Sequence, residues 1–395
     1  MSTSFPRPSG TSAMPFLFLA AVQVLLVPLL EAQEEEPGEP QIEVELVWEI
    51  GTVNGPAETI WDYIMDATIV DGAVYAVDTR LQTVRGFSVA GEYLGELGRA
   101  GQGPGEFAEP ISVTVVNDTL WIYDVTLDRW AIFDHEGRHV RTERMNVRNQ
   151  SGSGYSPLAS PERVWPGRND QWIGITGLVQ RRRPSQSVED HHVLSWDDSG
   201  AVETLAVIPG NPYWTERDWT DSLVMSPTES LGPGGGAWVL GDSLLALVVG
   251  TEALLYQLEE RPKLTHRSRL PGAPRPITEA EAELAAQAYY QRFGLDPEES
   301  SITGFVLPEQ WAPWTRVLGD DEGNLWLRRG GPELVDPTQG ERWVRWRVGS
   351  GERDEVLIPP GVEALRFRDG YMVGMGYGTL GTQRLYLYRL RERAR

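Results

Sequence analysis

Three observations predict an all-β fold. A strand–turn–strand pattern repeats along the chain, and a second strand pair follows each of its first five copies. A lone strand near the N-terminus supplies the one that is missing at the C-terminus. Together they describe a six-bladed β-propeller of four-stranded antiparallel blades, in which the N-terminal strand closes the last blade.

The elements follow in order. Pro15–Leu30 is an apolar run, shorter than the ~20 residues of a bilayer span and broken by Pro28. With Ala32 before Gln33 it reads as a secretory signal peptide over residues 1–32, which makes the body exported, periplasmic or extracellular. If retained, it would be an anchor and the chain's one membrane contact. Residues 33–41 are an acidic linker containing Glu34-Glu35-Glu36. Ile42, Val44, Leu46, Trp48 and Ile50 then alternate with Glu43, Glu45 and Glu49, a strand with one buried face.

Two clear repeats come next. Asp71-Gly72 becomes Asn117-Asp118, Tyr75 becomes Trp121, Asp78 becomes Asp124, Phe87 becomes Phe133 and Gly91 becomes Gly137, all at one offset. The turn pairs supply the positive φ angles of type I′ hairpins. Weaker copies flank Pro166–Asp170, Gly241-Asp242, Gly319–Asn324 and Asp369-Gly370. Outer pairs follow at Thr83–Ser88 with Tyr93–Leu97, Arg129–Phe133 with His139–Thr142, His192–Trp196 with Val202–Val207, Ala253–Leu258 with Lys263–Leu270, and Arg342–Val348 with Glu355–Ile358. The sixth unit has only Arg384–Leu390, and the lone strand at 42–50 completes it, protecting both edges. The propeller thus covers residues 42–390, with a tail at 391–395. One helical insertion, about 277–294, lies between blades four and five. Thr278 and Glu281 form its capping box, Leu284, Ala285, Ala288, Tyr289 and Phe293 share a face, and Gly294 and Pro297 stop it.

The string Gly98-Arg99-Ala100-Gly101-Gln102-Gly103-Pro104-Gly105-Glu106-Phe107, followed by Pro110, Leu120-Trp121-Ile122-Tyr123-Asp124, Arg129 and Phe133-Asp134, resembles the NHL-repeat type of six-bladed propeller. The likeness is close over about residues 60–140 and a matter of strand count elsewhere. It implies a structural role for the glycines, the proline and the strand-end aspartates, and no particular reaction.

Composition narrows the function. The chain has 395 residues, a net charge of −22 and no Cys. A polyanion is repelled, so nucleic acid is not a partner. Without Cys there is no thiolate nucleophile, disulfide framework or Cys zinc site. The five His lack ligand spacing: His135 and His139 flank a turn, and His191 and His192 point to opposite faces of a strand. Ser151–Gly154 and Gly234–Gly236 lack the strand–turn–helix context of a nucleophile elbow or phosphate cradle. Arg181–Arg183 reads as a solvated loop tip, and Asp78 and Asp124 read as side chains that bond turn N–H groups. No catalytic residue is therefore assigned.

Strand direction places the short turns on one face of the ring. The long segments Gly98–Pro110, Asn146–Glu162, Gly174–His191, Pro209–Gly236 and Pro271–Arg316 fall on the other. Long loops on a rigid scaffold carry binding, so that face is expected to hold a protein, peptide or glycan. Candidate binding residues there are Asp62, Asp66, Glu109, Arg163 and Arg316 at the starts of inner strands, with Trp214, Trp311 and Trp314 on the loops. Trp219 lies there too. Large aromatics mostly bury, so packing of the long loops onto the barrel is the preferred role of these Trp. No cofactor is expected. The alternative is a metal-dependent lactonase or esterase-like hydrolase, with Ca or another divalent cation held by Asp62, Asp66, Glu109 and Glu363 at the channel mouth.

Overall fold

The computed structural model describes residues 39–144, 161–166, 171–183, 186–197, 199, 202–208, 215–217, 223–225, 235–240, 243–258, 262–284, 287, 310–331, 334, 336, 338–378 and 381–393. The expected signal peptide lies outside them.

The body is all-β, built from antiparallel four-stranded sheets in a propeller-like arrangement. The first sheet is Ile64–Val70, Ala73–Asp78, Thr83–Ser88 and Tyr93–Leu97. The second is Pro110–Val116, Thr119–Asp124, Arg129–Phe133 and His139–Arg144. The third is Pro161–Pro166, Trp172–Arg183, Gln186–Trp196 and Val202–Ile208, and the fourth is Gly235–Leu240, Leu244–Val249, Glu252–Gln257 and Lys263–Arg269. The first strand of each sheet is the inner one: 64–70 lies beside 110–116 and 362–368, and 314–319 lies beside 235–240 and 362–368.

The last two units expected from the sequence share one eight-stranded sheet. Trp314–Gly319, Asn324–Arg329, Glu341–Arg347 and Arg353–Ile358 make one half. Ile42–Ile50, Gln383–Glu392, Tyr371–Tyr377 and Val362–Arg368 make the other. A single parallel pair, Ile42 with Val356, joins the halves. Hydrogen bonding thus draws four separate four-stranded sheets and one double sheet, where the sequence predicts six separate blades.

The ring closure is as the alternation at 42–50 demands. Ile42–Ile50 runs antiparallel to the last strand, from Ile42 opposite Glu392 to Ile50 opposite Leu385, with a bulge between Leu46 and Trp48. Arg393–Glu43 at 2.8 Å, Arg391–Glu45 at 2.6 Å and Arg384–Glu49 at 2.7 Å flank it. These pairs are exposed and add little energy each, but they favour one register.

Packing between units is aromatic. Trp326 stacks on Phe367 with ring centroids 3.9 Å apart, and Trp130 stacks on Trp172 at 6.0 Å. The expected type I′ turns are present, since Asp71, Gly72, Asn117, Asp118, Asp369 and Gly370 all have positive φ.

Two expectations change in detail. Gly174–His191 is not a loop: Trp172–Arg183 and Gln186–Trp196 pair as one hairpin out to Arg183 opposite Gln186. Beyond Thr176 and before His191 these strands pair only with each other, so the hairpin runs past its own sheet. Of the inserted helix, residues 279–284 are described and helical. Its capping box is formed, with Thr278 N–H donating to Glu281 at 3.0 Å and Glu281 N–H to the Thr278 hydroxyl at 3.3 Å.

Candidate functional site

The repeat fixes the long-loop end of the first two units through one residue each. The Asp78 carboxylate accepts the backbone N–H groups of Asp62, Tyr63 and Leu81 at 2.9, 3.1 and 3.0 Å. Asp124 accepts those of Ala108, Glu109 and Leu127 at 2.7, 3.0 and 2.8 Å. The pattern moves intact with the repeat, and both aspartates are fully buried. Their role is structural, as the sequence suggests. The glycine-rich string is held the same way. Arg129 donates to the carbonyls of Gln102, Gly103 and Glu106, and Glu106 pairs with Arg99 at 2.7 Å.

Inner strands carry bulges near their long-loop ends. Register shifts lie between Ile64 and Asp66, Pro110 and Ser112, Pro161 and Arg163, Trp314 and Arg316, and Ala364 and Arg366. A bulge re-aims the side chains beside it. Here it turns charged residues toward the ring axis, where they meet one another. Arg366 Nη2 donates to both carboxylate oxygens of Asp66, at 3.2 and 3.1 Å, and to the Val113 carbonyl at 3.0 Å. Its Nε donates to the Ala67 carbonyl at 3.3 Å, and its guanidinium lies 4.8 Å from the Trp238 ring centre. Asp66 also accepts the Val113 N–H at 3.1 Å. One guanidinium from the last unit thus ties together strands of the first, second and fourth. Nearby, Arg316 pairs with Glu363 at 2.5 Å.

Above this crossbar, at the short-turn end, a cavity of about 310 Å³ opens. Thr68, Thr114, Trp165, Trp238, Asp321 and Arg368 are among its walls, so every repeat contributes. Arg366 lines its depth. Trp165 meets Trp238 edge to face at 5.7 Å. Asp320 is committed to its own turn, accepting the N–H groups of Glu322 and Asn324 at 3.0 and 2.8 Å and the Trp326 indole at 2.9 Å. Asp321 accepts the Asp369 N–H at 3.1 Å. Burial, together with the hydrogen bond and charge of Asp321, pushes the Asp369 carboxyl up to about 6.

Asp66 and Arg316 lie in the ring interior, each in an ion pair. Asp62 is exposed and pairs with Arg80 at 3.3 Å, while Glu109 accepts the Thr126 hydroxyl at 2.6 Å. Trp311 and Trp314 are buried at 1% and 2% exposure, so they pack the scaffold and offer no binding surface. Trp311 also donates its indole N–H to Glu281 at 3.2 Å. The side chain of Arg163, and all of Trp214 and Trp219, lie outside the described residues. Sequence reasoning missed Arg366 and the short-turn cavity. Arg366 sits in an unremarkable strand, and nothing in linear spacing marks it as axial.

The acids proposed as cation ligands do not fit that task. Asp66 and Glu363 are neutralised by Arg366 and Arg316, and Asp62 and Glu109 have partners of their own. Among the described residues no group of three or more His, Asp or Glu converges to hold a metal.

No family model and no curated protein matches the chain. Solved structures do. A member of the DUF4221 family from Bacteroides vulgatus is 9% identical with a TM-score of 0.47, covering 90% of this chain and 100% of its own. Virginiamycin B lyase from Staphylococcus aureus is 11% identical, TM-score 0.38, covering 88% and 99%. A gluconolactonase from Xanthomonas campestris is 12% identical, TM-score 0.39, covering 90% and 91%. Those activities belong to those proteins.

Proposed function

We propose that this protein is an exported binding module, a six-bladed propeller with NHL-like repeats, that takes a small ligand in the short-turn cavity. The double sheet counts as two blades in this reading, because one residue pair joins halves that are each four strands wide. The observation that supports the pocket is convergence. Every repeat sends a side chain into one cavity, and Arg366 closes it below. Its volume of about 310 Å³ lies at the small end of ligand sites. Hydrolysis through a bound cation is the weaker reading, since the acids it needs are already paired.

A thermal-shift screen of small molecules on the wild type and on Thr114→Trp, which fills the cavity, tests this. Ligands that raise the wild-type Tm and leave the filled variant unmoved support the pocket. Hits that stabilise both proteins equally place binding elsewhere. Lactone hydrolysis that disappears on chelation would reverse the choice between module and enzyme.

The hairpin that runs past its sheet favours a second reading, a protein, peptide or glycan partner on the long-loop face. Removing residues 178–190 and comparing captured partners from an envelope extract tests it. Unchanged capture would count against that face.

A further inference from the structure

We propose that the short-turn pocket, taken as the ligand site on the reading above, binds the ammonium group of an organic cation, either a free quaternary ammonium or the end of a lysine side chain. The wall and the charge of the rim both point to this chemistry. Trp165 and Trp238 line the cavity. Indole faces attract cations, and Trp238 already does so for Arg366 at 4.8 Å.

The rim is short of positive charge. Arg366 is spent on Asp66, and Arg316 on Glu363. That leaves Arg368, 3.9 Å from Asp369, against the exposed carboxylates of Asp118 and Asp321. The Asp369 carboxyl registers the imbalance. Its rise to about 6 comes from burial and Asp321, with Asp71 adding to it and Arg368 opposing it.

Other ligand classes fit less well. An anion meets the wrong sign. A neutral sugar leaves the acids uncompensated. A bare metal ion lacks a converging ligand set among the described residues. An alkylammonium supplies positive charge to Asp118 and Asp321 and apolar surface to the indoles.

Calorimetric titration of the full mature chain decides the matter, with choline and Nα-acetyl-lysine amide as probes. Their controls are 3,3-dimethylbutanol, a neutral isostere of choline, and glucose. One of the two cations is expected to bind about tenfold or more tightly than the controls, and which one binds separates a quaternary ammonium from the primary ammonium of a lysine side chain. Asp118→Asn and Asp321→Asn are each expected to weaken it by about threefold or more, with far-UV circular dichroism unchanged. Equal binding of the neutral isostere, tighter binding of glucose, or indifference to both substitutions overturns the ammonium assignment. A different ligand class that Thr114→Trp abolishes sinks this assignment and keeps the pocket. No ligand sensitive to Thr114→Trp sinks both.

Discussion

Asp78 and Asp124 show how a residue can be legible in sequence and its neighbour opaque. Both aspartates end matched strands at one offset, so a shared backbone need is readable from the spacing alone. Each carboxylate collects three N–H groups, and replacing Asp124 by Ala leaves these donors without an acceptor. The expected loss is about 3 kcal/mol, read from the urea midpoint. Arg366 gives no such signal. Its partners Asp66, Val113 and Trp238 come from distant parts of the chain, and only the closed ring brings them together. Arg366→Leu leaves Asp66 buried without a counter-charge, and the expected cost is about 3–5 kcal/mol. The double variant Arg366→Leu, Asp66→Leu should recover most of that loss, because it removes the orphaned charge as well. A double variant no better than the single one would mean that the ion pair is not the cause.

At the scale of elements, strands are readable and connections are not. Alternation and turn pairs locate the strands, because a half-buried strand shows its period along the sequence. The segment 177–190 reads as a loop because, beyond the four-stranded sheet, it has no alternation imposed by two faces. The base of the insertion is readable only at its cap. Arg275–Pro276 pairs with Gln310–Trp311, and Glu281 binds Arg275 at 2.8 Å, the Thr278 N–H and the Trp311 indole. Burial raises the Glu281 carboxyl, but these donors outweigh it and bring it to about 2, below its ordinary 4.5. Its contribution is therefore complete above pH 4.5 and lost as pH falls toward 2. Asp369 works with the opposite sign. Its carboxyl lies at about 6 against an ordinary 3.8, so folding is favoured below 3.8 and that gain is lost as pH rises toward 6. Urea midpoints of the wild type should fall across that upper window, and Asp321→Asn should flatten the fall. A slope unchanged in Asp321→Asn would show that the two carboxyls do not share the proton.

At the scale of the molecule, the ring is legible because the count of strands comes out one short at one end and one over at the other. The fused pair of sheets is not, since a single parallel contact leaves no pattern in either strand. Nor is the end of the ring at which the cavity opens. Loop length points to one mouth, while the described cavity opens at the other, where short turns bring Asp118, Asp321 and Arg368 close around the axis. Removing residues 42–50 exposes the edge of the last strand from Leu385 to Glu392. The expected result is a chain that associates on gel filtration and unfolds with a shallower urea dependence. A monomer with wild-type cooperativity would mean that the ring holds without its closing strand.

The closing contact also sets an order of events for synthesis. Ile42–Ile50 leaves the ribosome before every other described strand, and its partner Gln383–Glu392 leaves after them. The earliest strand must wait, apolar side unsatisfied, through the production of nearly the whole polypeptide. The closed ring becomes reachable only once Gln383–Glu392 has been made.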